Sequence, residues 1–181
     1  MEVIRFDGLC YRLHDKAGSH MAFDLRMEQS LYSVTDGLWS HLGEVLKASD
    51  PAPGIPGKFI SFTSRPRMSP NGEGYVVSGW RTNQASGSTE GRILYRQSNL
   101  GAPGSATIVY KSGDIVDGLP IASPSGIDFD YDFSNNGTQL INVVQINTGS
   151  VNTDDRLLVN GSVVGKAGGG TGVSGESWDG S

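Results

Sequence analysis

The residues best equipped for chemistry in this chain are carboxylates. Asp128, Asp130 and Asp132 alternate with Ile127, Phe129, Tyr131 and Phe133. In an extended strand, period two sends the carboxylates to one face and the apolar residues to the other. A row of oxygen ligands suits Ca2+, and Asp-x-Asp-x-Asp matches the start of an EF-hand loop. Phe133 stands where that loop turns on glycine, and Gln139 where it closes on glutamate, so the EF-hand reading fails. Two readings stay open for the three aspartates: a Ca2+ site on a strand face, or a solvated acidic face.

A second group is aromatic. Trp80 and Arg81 stand where an apolar run gives way to a polar loop, and Tyr131 lies among the aspartates. An exposed aromatic ring beside carboxylates suits sugar binding by stacking. Trp80, Arg81 and Tyr131 are therefore the candidate ligand contacts, against the alternative that Trp80 packs between structural units. A glycosidase would need two carboxylates about 5 Å or 6.5–9.5 Å apart. Glu90, Asp114, Asp117, Asp128, Asp130 and Asp132 are available for such a pair, and their spacing in the chain does not select one.

The remaining signatures are negative. His14, His20 and His41 are the three histidines, and no His-x-x-x-His or Cys-x-x-Cys spacing marks a zinc site. No Gly-x-Ser-x-Gly elbow is present. Gly168-Gly169-Gly170-Thr171-Gly172 lacks the Gly-Lys-Ser/Thr ending of a phosphate loop and reads as a flexible turn. Cys10 is the single cysteine, so no intrachain disulfide forms. No catalytic residues are expected.

Positioning these groups falls to short strands. The 181 residues include 26 glycines and 8 prolines, and the apolar residues come in short runs between glycine-rich turns. That composition predicts an all-β fold. A net charge of −5 argues against a nucleic-acid partner, because phosphate binding needs a basic footprint. No apolar run reaches the ~18 residues of a membrane span, and the first residues lack the layout of a secretory signal.

The chain also repeats itself. Ser69-Pro70-Asn71-Gly72 recurs further along as Ser134-Asn135-Asn136-Gly137. Lys47-Ala48-Ser49-Asp50 recurs as Lys111-Ser112-Gly113-Asp114, and Gly54 and Gly118 follow each Asp by four. Arg92-Ile93-Leu94-Tyr95 recurs as Arg156-Leu157-Leu158-Val159. These landmarks keep one order and one spacing, and they predict duplicated units of about 64 residues. Each unit reads as four antiparallel strands. The first two, 58–69 and 74–81 or 126–133 and 138–146, join through an Asn-Gly turn that supplies positive φ. A polar loop follows, 82–91 or 147–155, and then strands at 92–97 and 106–111. Val76-Val77 and Val143-Val144 are apolar on both faces, as in sandwiched strands.

This reading divides the chain at 46–111 and 112–181, the latter ending in the start of a further turn. Residues 1–45 form a β-rich segment, read as a degenerate unit or partly as an expression-tag remnant around Gly18-Ser19-His20-Met21. Within 31–46 the expectation is a hairpin about Asp36-Gly37 or a short helix near Leu42–Leu46.

Met68-Ser69-Pro70-Asn71-Gly72 followed by Tyr75-Val76-Val77 resembles the Ser-Pro-Asp-Gly repeat of TolB-like β-propellers, with Asn71 where that family prefers Asp. Phe133 to Gly137 is a looser match. The longer pattern is similar to tandem repeats of bacterial surface-anchored proteins. The resemblance covers about residues 45–165 and implies a propeller used for binding or scaffolding. The expectation is thus an all-β, partial propeller-like array acting as a non-catalytic binding or scaffold module. Its place would be extracellular or in the cell envelope, and its ligand a glycan or a protein. A carbohydrate-active hydrolase and a purely structural oligomerising repeat are the alternatives. A ring needs about four or more units, so a homo-oligomer or a larger propeller is expected to complete it.

Overall fold

The structure is a computed structural model that describes residues 5–6, 12–14, 21–30, 33–40, 42–85, 87–98, 106–150, 154–171, 173–174 and 176–178. These form strands, turns and loops, with no helix among them. The strands are β1 (Arg5–Phe6), β2 (Arg12–His14), β3 (Met21–Ser30), β4 (Ser33–Ser40), β5 (Gly43–Lys47), β6 (Phe59–Met68), β7 (Gly74–Arg81) and β8 (Gly91–Gln97). They continue as β9 (Thr107–Lys111), β10 (Ile115–Val116), β11 (Leu119–Pro120), β12 (Ile127–Phe133), β13 (Leu140–Gln145), β14 (Asp155–Val159) and β15 (Ser162–Lys166). Cys10, His20, His41 and the side chain of His14 lie outside the described residues.

Three antiparallel sheets follow one another along the chain. The first runs β1-β3-β4-β5 with β2 beside β3, the second β6-β7-β8-β9, and the third β12-β13-β14-β15. The small β10-β11 ribbon lies between the second and third. The fold is an all-β, partial propeller-like array of antiparallel meanders. Residues 1–45 supply most of a sheet of their own. Asp36-Gly37 is not a turn but the middle of β4, where Gly37 pairs with Leu25 and Lys47. A Cβ on Gly37 would meet Trp39 Nε1 at 3.0 Å and the Leu46 carbonyl at 3.2 Å, so glycine serves close packing there. The chain reverses instead between β3 and β4 and between β4 and β5, and Leu42–Leu46 is largely strand, not helix.

Both Asn-Gly hairpins form as their turn chemistry demands. Gly72 and Gly137 take φ of +84° and +69°. Their amides donate to the Ser69 and Ser134 carbonyls at 2.9 and 2.8 Å. The Ser69 and Ser134 hydroxyls accept from the Glu73 and Gln139 amides. The two turns touch, since the Asn71 amide donates to the Gly137 carbonyl at 3.3 Å.

The turn that leaves each sheet occurs three times. Asp50, Asp114 and Gly169 donate their amides to the Lys47, Lys111 and Lys166 carbonyls. Ser49, Gly113 and Gly168 sit at φ of +75°, +89° and +72° and donate to the carbonyls of Ile60, Ile121 and Trp178. Those three residues donate back to Asp50, Asp114 and Gly169, each at 2.8 Å. A left-handed backbone at the middle position explains the glycine in two of the copies.

Two apolar cores hold the sheets together. Leu38, Val45, Leu46 and Ala52 pack with Ile60, Val76, Ile93 and Tyr95 between the first and second sheets. Tyr75, Val77 and Leu94 pack with Ile127, Tyr131, Leu140, Val144, Ile146 and Leu158 between the second and third. The second sheet is covered on both faces, which accounts for the doubly apolar Val76-Val77. In β13 the described residues pack one face: Val144 is buried, while Val143 is half-buried on the opposite side. Leu94 and Leu158, matched by the repeat spacing, face each other inside one core. Their orientations therefore do not repeat. The residue of β14 with the outlook of Leu94 is Leu157, one place earlier, because alternation makes a one-residue slip invert the face.

Candidate functional site

The polar groups gather where the first strands of the second and third sheets meet. β6 and β12 are both edge strands of their sheets. Both are irregular, β6 between Ser64 and Arg67 and β12 between Ile127 and Tyr131. Pro66 lies within the β6 irregularity, where a residue without an N–H breaks the ladder. Bulges bend a strand and re-aim its side chains. Here the two irregular stretches face each other. Arg65, at φ +46°, donates from Nη1 to Asp130 Oδ1 at 2.6 Å. Both side chains are more than half exposed, so solvent screening leaves this ion pair little stabilising weight.

Tyr131 locks the junction from inside. It is buried, and its hydroxyl is within donating distance of the Arg65 carbonyl at 2.6 Å and the Tyr75 carbonyl at 3.0 Å. Arg67 places its guanidinium carbon 5.7 Å from the centre of the Tyr131 ring. Burial pushes the Tyr131 phenol far above its ordinary pKa. The Phe133 ring meets the Tyr75 ring at 4.8 Å and that of Tyr131 edge-on at 6.2 Å.

Beside this junction lies a groove of about 250 Å³ lined by Arg67, Asp130, Tyr131, Asp132 and Asn142, with Ile141, Val143 and Leu157 on its apolar side. Asn142 is 2% exposed, and neither its Nδ2 nor its Oδ1 has a hydrogen-bond partner. A buried amide left without partners costs about 1–3 kcal/mol. Asn142 faces the second sheet with Leu140 and Val144, as Val76 faces the first.

The sequence candidates divide between two places. Asp130, Tyr131 and Asp132 line the groove, while the side chain of Asp128 lies outside the described residues. Asp130 and Asp132 are exposed, and Asp132 also caps the Phe133 amide. Trp80 and Arg81 lie at the other end of β7 from Tyr75, about 17 Å of strand away. The Trp80 indole lies over Gly91, where a Cβ would come within 2.2 Å of Cη2, and it packs against the core of the first two sheets. Arg81 donates to Ser49 Oγ at 3.1 Å and to the Gln84 carbonyl at 2.8 Å. Trp80 and Arg81 thus brace a turn and a loop. Tyr131 presents neither an open ring face nor a spare hydroxyl proton.

The other carboxylates are engaged separately. Glu90 takes Lys58 at 2.5 Å and the Thr82 amide, with its pKa pulled down to about 2, first by Lys58. Asp114 takes Lys111 and its amide. Asp117 takes Arg156 Nε at 2.9 Å and Lys166 Nζ at 2.8 Å. Among the described residues, no three His, Cys, Asp or Glu side chains converge as a metal cluster.

Sequence reasoning missed Arg65, Arg67 and Asn142. A proline inside an apolar strand signalled the first two, and an amide in the middle of Leu-Ile-Asn-Val-Val signalled the third. No protein-family model matches this chain, and no curated protein or solved structure matches it either. The fold and groove themselves define its class: an all-β array of face-packed antiparallel meanders with a groove of mixed polar and apolar lining at an inter-sheet junction.

Proposed function

We propose that the chain is a non-catalytic binding or scaffold module of a propeller-like repeat protein, working outside the cell or in its envelope. Its ligand is polar and rich in hydroxyls, as a glycan is, and it binds in the groove between β6 and β12. The observation that carries this reading is Asn142. It lines a groove that also offers the Arg67 guanidinium and the Asp130 and Asp132 carboxylates, and its amide, on the strand face turned to the second sheet, is buried without partners. These groups supply donors and acceptors for hydroxyls. Arg65 and Arg67 set positive charge beside the two carboxylates, so a neutral polyol suits the groove better than Ca2+.

The test uses Asn142→Val, which installs the residue found at the corresponding place in the second sheet. Thermal stability is expected to rise, because an unsatisfied amide is removed from a core. Binding on a glycan array, followed by calorimetry with each hit and with Ca2+ alone, is expected to be lost. A variant that binds as the wild type does removes the groove from consideration. Glycan hydrolysis abolished by Asp130→Asn or Asp132→Asn would establish the carbohydrate-active hydrolase instead.

A further inference from the structure

The third sheet carries one face on which no further sheet of the described residues packs. Ile141, Val143 and Leu157 stand there half-buried. They hold the outlook that Tyr75, Val77 and Leu94 hold in the second sheet, where the third sheet buries them. The face ends in a groove of about 190 Å³ lined by Val143, Leu157, Gly165 and Trp178. Trp178 itself takes the third place in the repeated turn. Its counterparts Ile60 and Ile121 are 0% and 1% exposed, each inside an inter-sheet core, whereas Trp178 is 41% exposed. The third copy of the turn is therefore built, and among the described residues no core accompanies it.

The strand at the other end of the array carries a matching alternation and register. Phe23, Leu25 and Met27 alternate with Asp24, Arg26 and Glu28 in β3. In register, Phe23, Leu25 and Met27 pair with Trp39, Gly37 and Thr35 of β4, while Asp24 pairs with Leu38, which packs toward the second sheet.

We infer that the open face of the third sheet docks the first sheet of a second copy of this chain, head to tail. The contact continues the established step: each internal interface sets the outlying face of one sheet on the near face of the next. Two copies give six sheets, within the range of about four to eight at which propellers close. A head-to-tail contact closes into a ring or runs on as a filament, according to its rotation. Trp178 is the anchor, since a large aromatic entering a pocket dominates such interfaces.

The experiment is sedimentation of the full chain over a dilution series. The expected mass is twice the 19.2 kDa of one chain, or a longer head-to-tail series. Trp178→Ala changes a residue that is 41% exposed, is expected to keep the circular dichroism of the wild type, and is expected to weaken association about tenfold or more. Val143→Asp with Leu157→Asp is expected to give a monomer with unchanged circular dichroism. Ile115→Asp, at a residue 69% exposed on the β10-β11 ribbon, is expected to associate as the wild type does. A wild type that stays monomeric at high concentration overturns the inference. So does an assembly indifferent to Trp178→Ala. Val143 and Leu157 also line the β6–β12 groove, so ligand binding is read separately on Trp178→Ala, whose residue lies outside that lining.

Discussion

Replacing Tyr131 with phenylalanine removes one oxygen atom and leaves the ring packed against Phe133. In the wild type that oxygen reaches two backbone carbonyls of the second sheet, Arg65 at 2.6 Å and Tyr75 at 3.0 Å, from a side chain of the third. A hydrogen bond of this kind is worth about 0.5–1.5 kcal/mol net. Two carbonyls sharing one donor in a buried site make the expected loss about 2 kcal/mol. For a domain of this size, each kcal/mol shifts the melting temperature by about 2–4 °C. Differential scanning calorimetry should therefore find Tyr131→Phe about 4–8 °C less stable. A decrease below about 1 °C would refute the clasp. It would also revive the reading of Tyr131 as a ligand contact, in which the hydroxyl acts on the ligand and not on the fold.

Three further predictions test other parts of the structure. Gly91→Ala drives a methyl group into the Trp80 indole, and overpacking of this kind costs about 1–3 kcal/mol; the melting temperature falls and tryptophan emission shifts. Asp117→Asn tolerates the φ of +52° at that position but strips the charge facing Arg156, whose side chain is 8% exposed. The urea midpoint falls with an unchanged slope. The acid limb also flattens, because a carboxylate with lowered pKa adds stability above its unfolded pKa and loses it as pH falls. Burial raises Tyr75 to about 12, and raises Tyr95 and Tyr131 as well. The unfolded chain releases these protons first, so the stability they carry is complete below about pH 10 and falls as pH rises beyond it. Near-ultraviolet phenolate absorbance should show these three titrating together with unfolding.

What the sequence made legible was local. Asn-Gly turns, the Lys-x-x-Asp turn and the runs between them all carry their chemistry within a few residues, and the second and third sheets follow from them. Asp36-Gly37 misled because a hairpin signature and a close-packing glycine look alike in one dimension. The first sheet lacks the Asn-Gly signature, and its strands turn elsewhere. The groove was half legible. Asp130, Tyr131 and Asp132 announced themselves by alternation, but Arg67 lines it and Arg65 reaches Asp130 from another sheet, a full repeat earlier in the chain. The burial of Tyr131 was implicit in the same alternation that exposes the aspartates. What spacing hid was the slip that sets Leu94 and Leu158 against each other, since identical residues matched along the chain need not look the same way.

The second sheet, packed on both faces by the two cores of the described residues, has a consequence for how the molecule opens. Each sheet is woven from one continuous stretch of the chain, and the apolar cores of the described residues join only neighbouring sheets. Cooperativity in such a molecule spreads from neighbour to neighbour. Losing an end sheet dissolves one core, while losing the middle one dissolves both. Amide protons of Val76, Val77, Ile93 and Leu94 should therefore exchange through the rarest opening of the molecule, and those of β13 and β14 through a more frequent one.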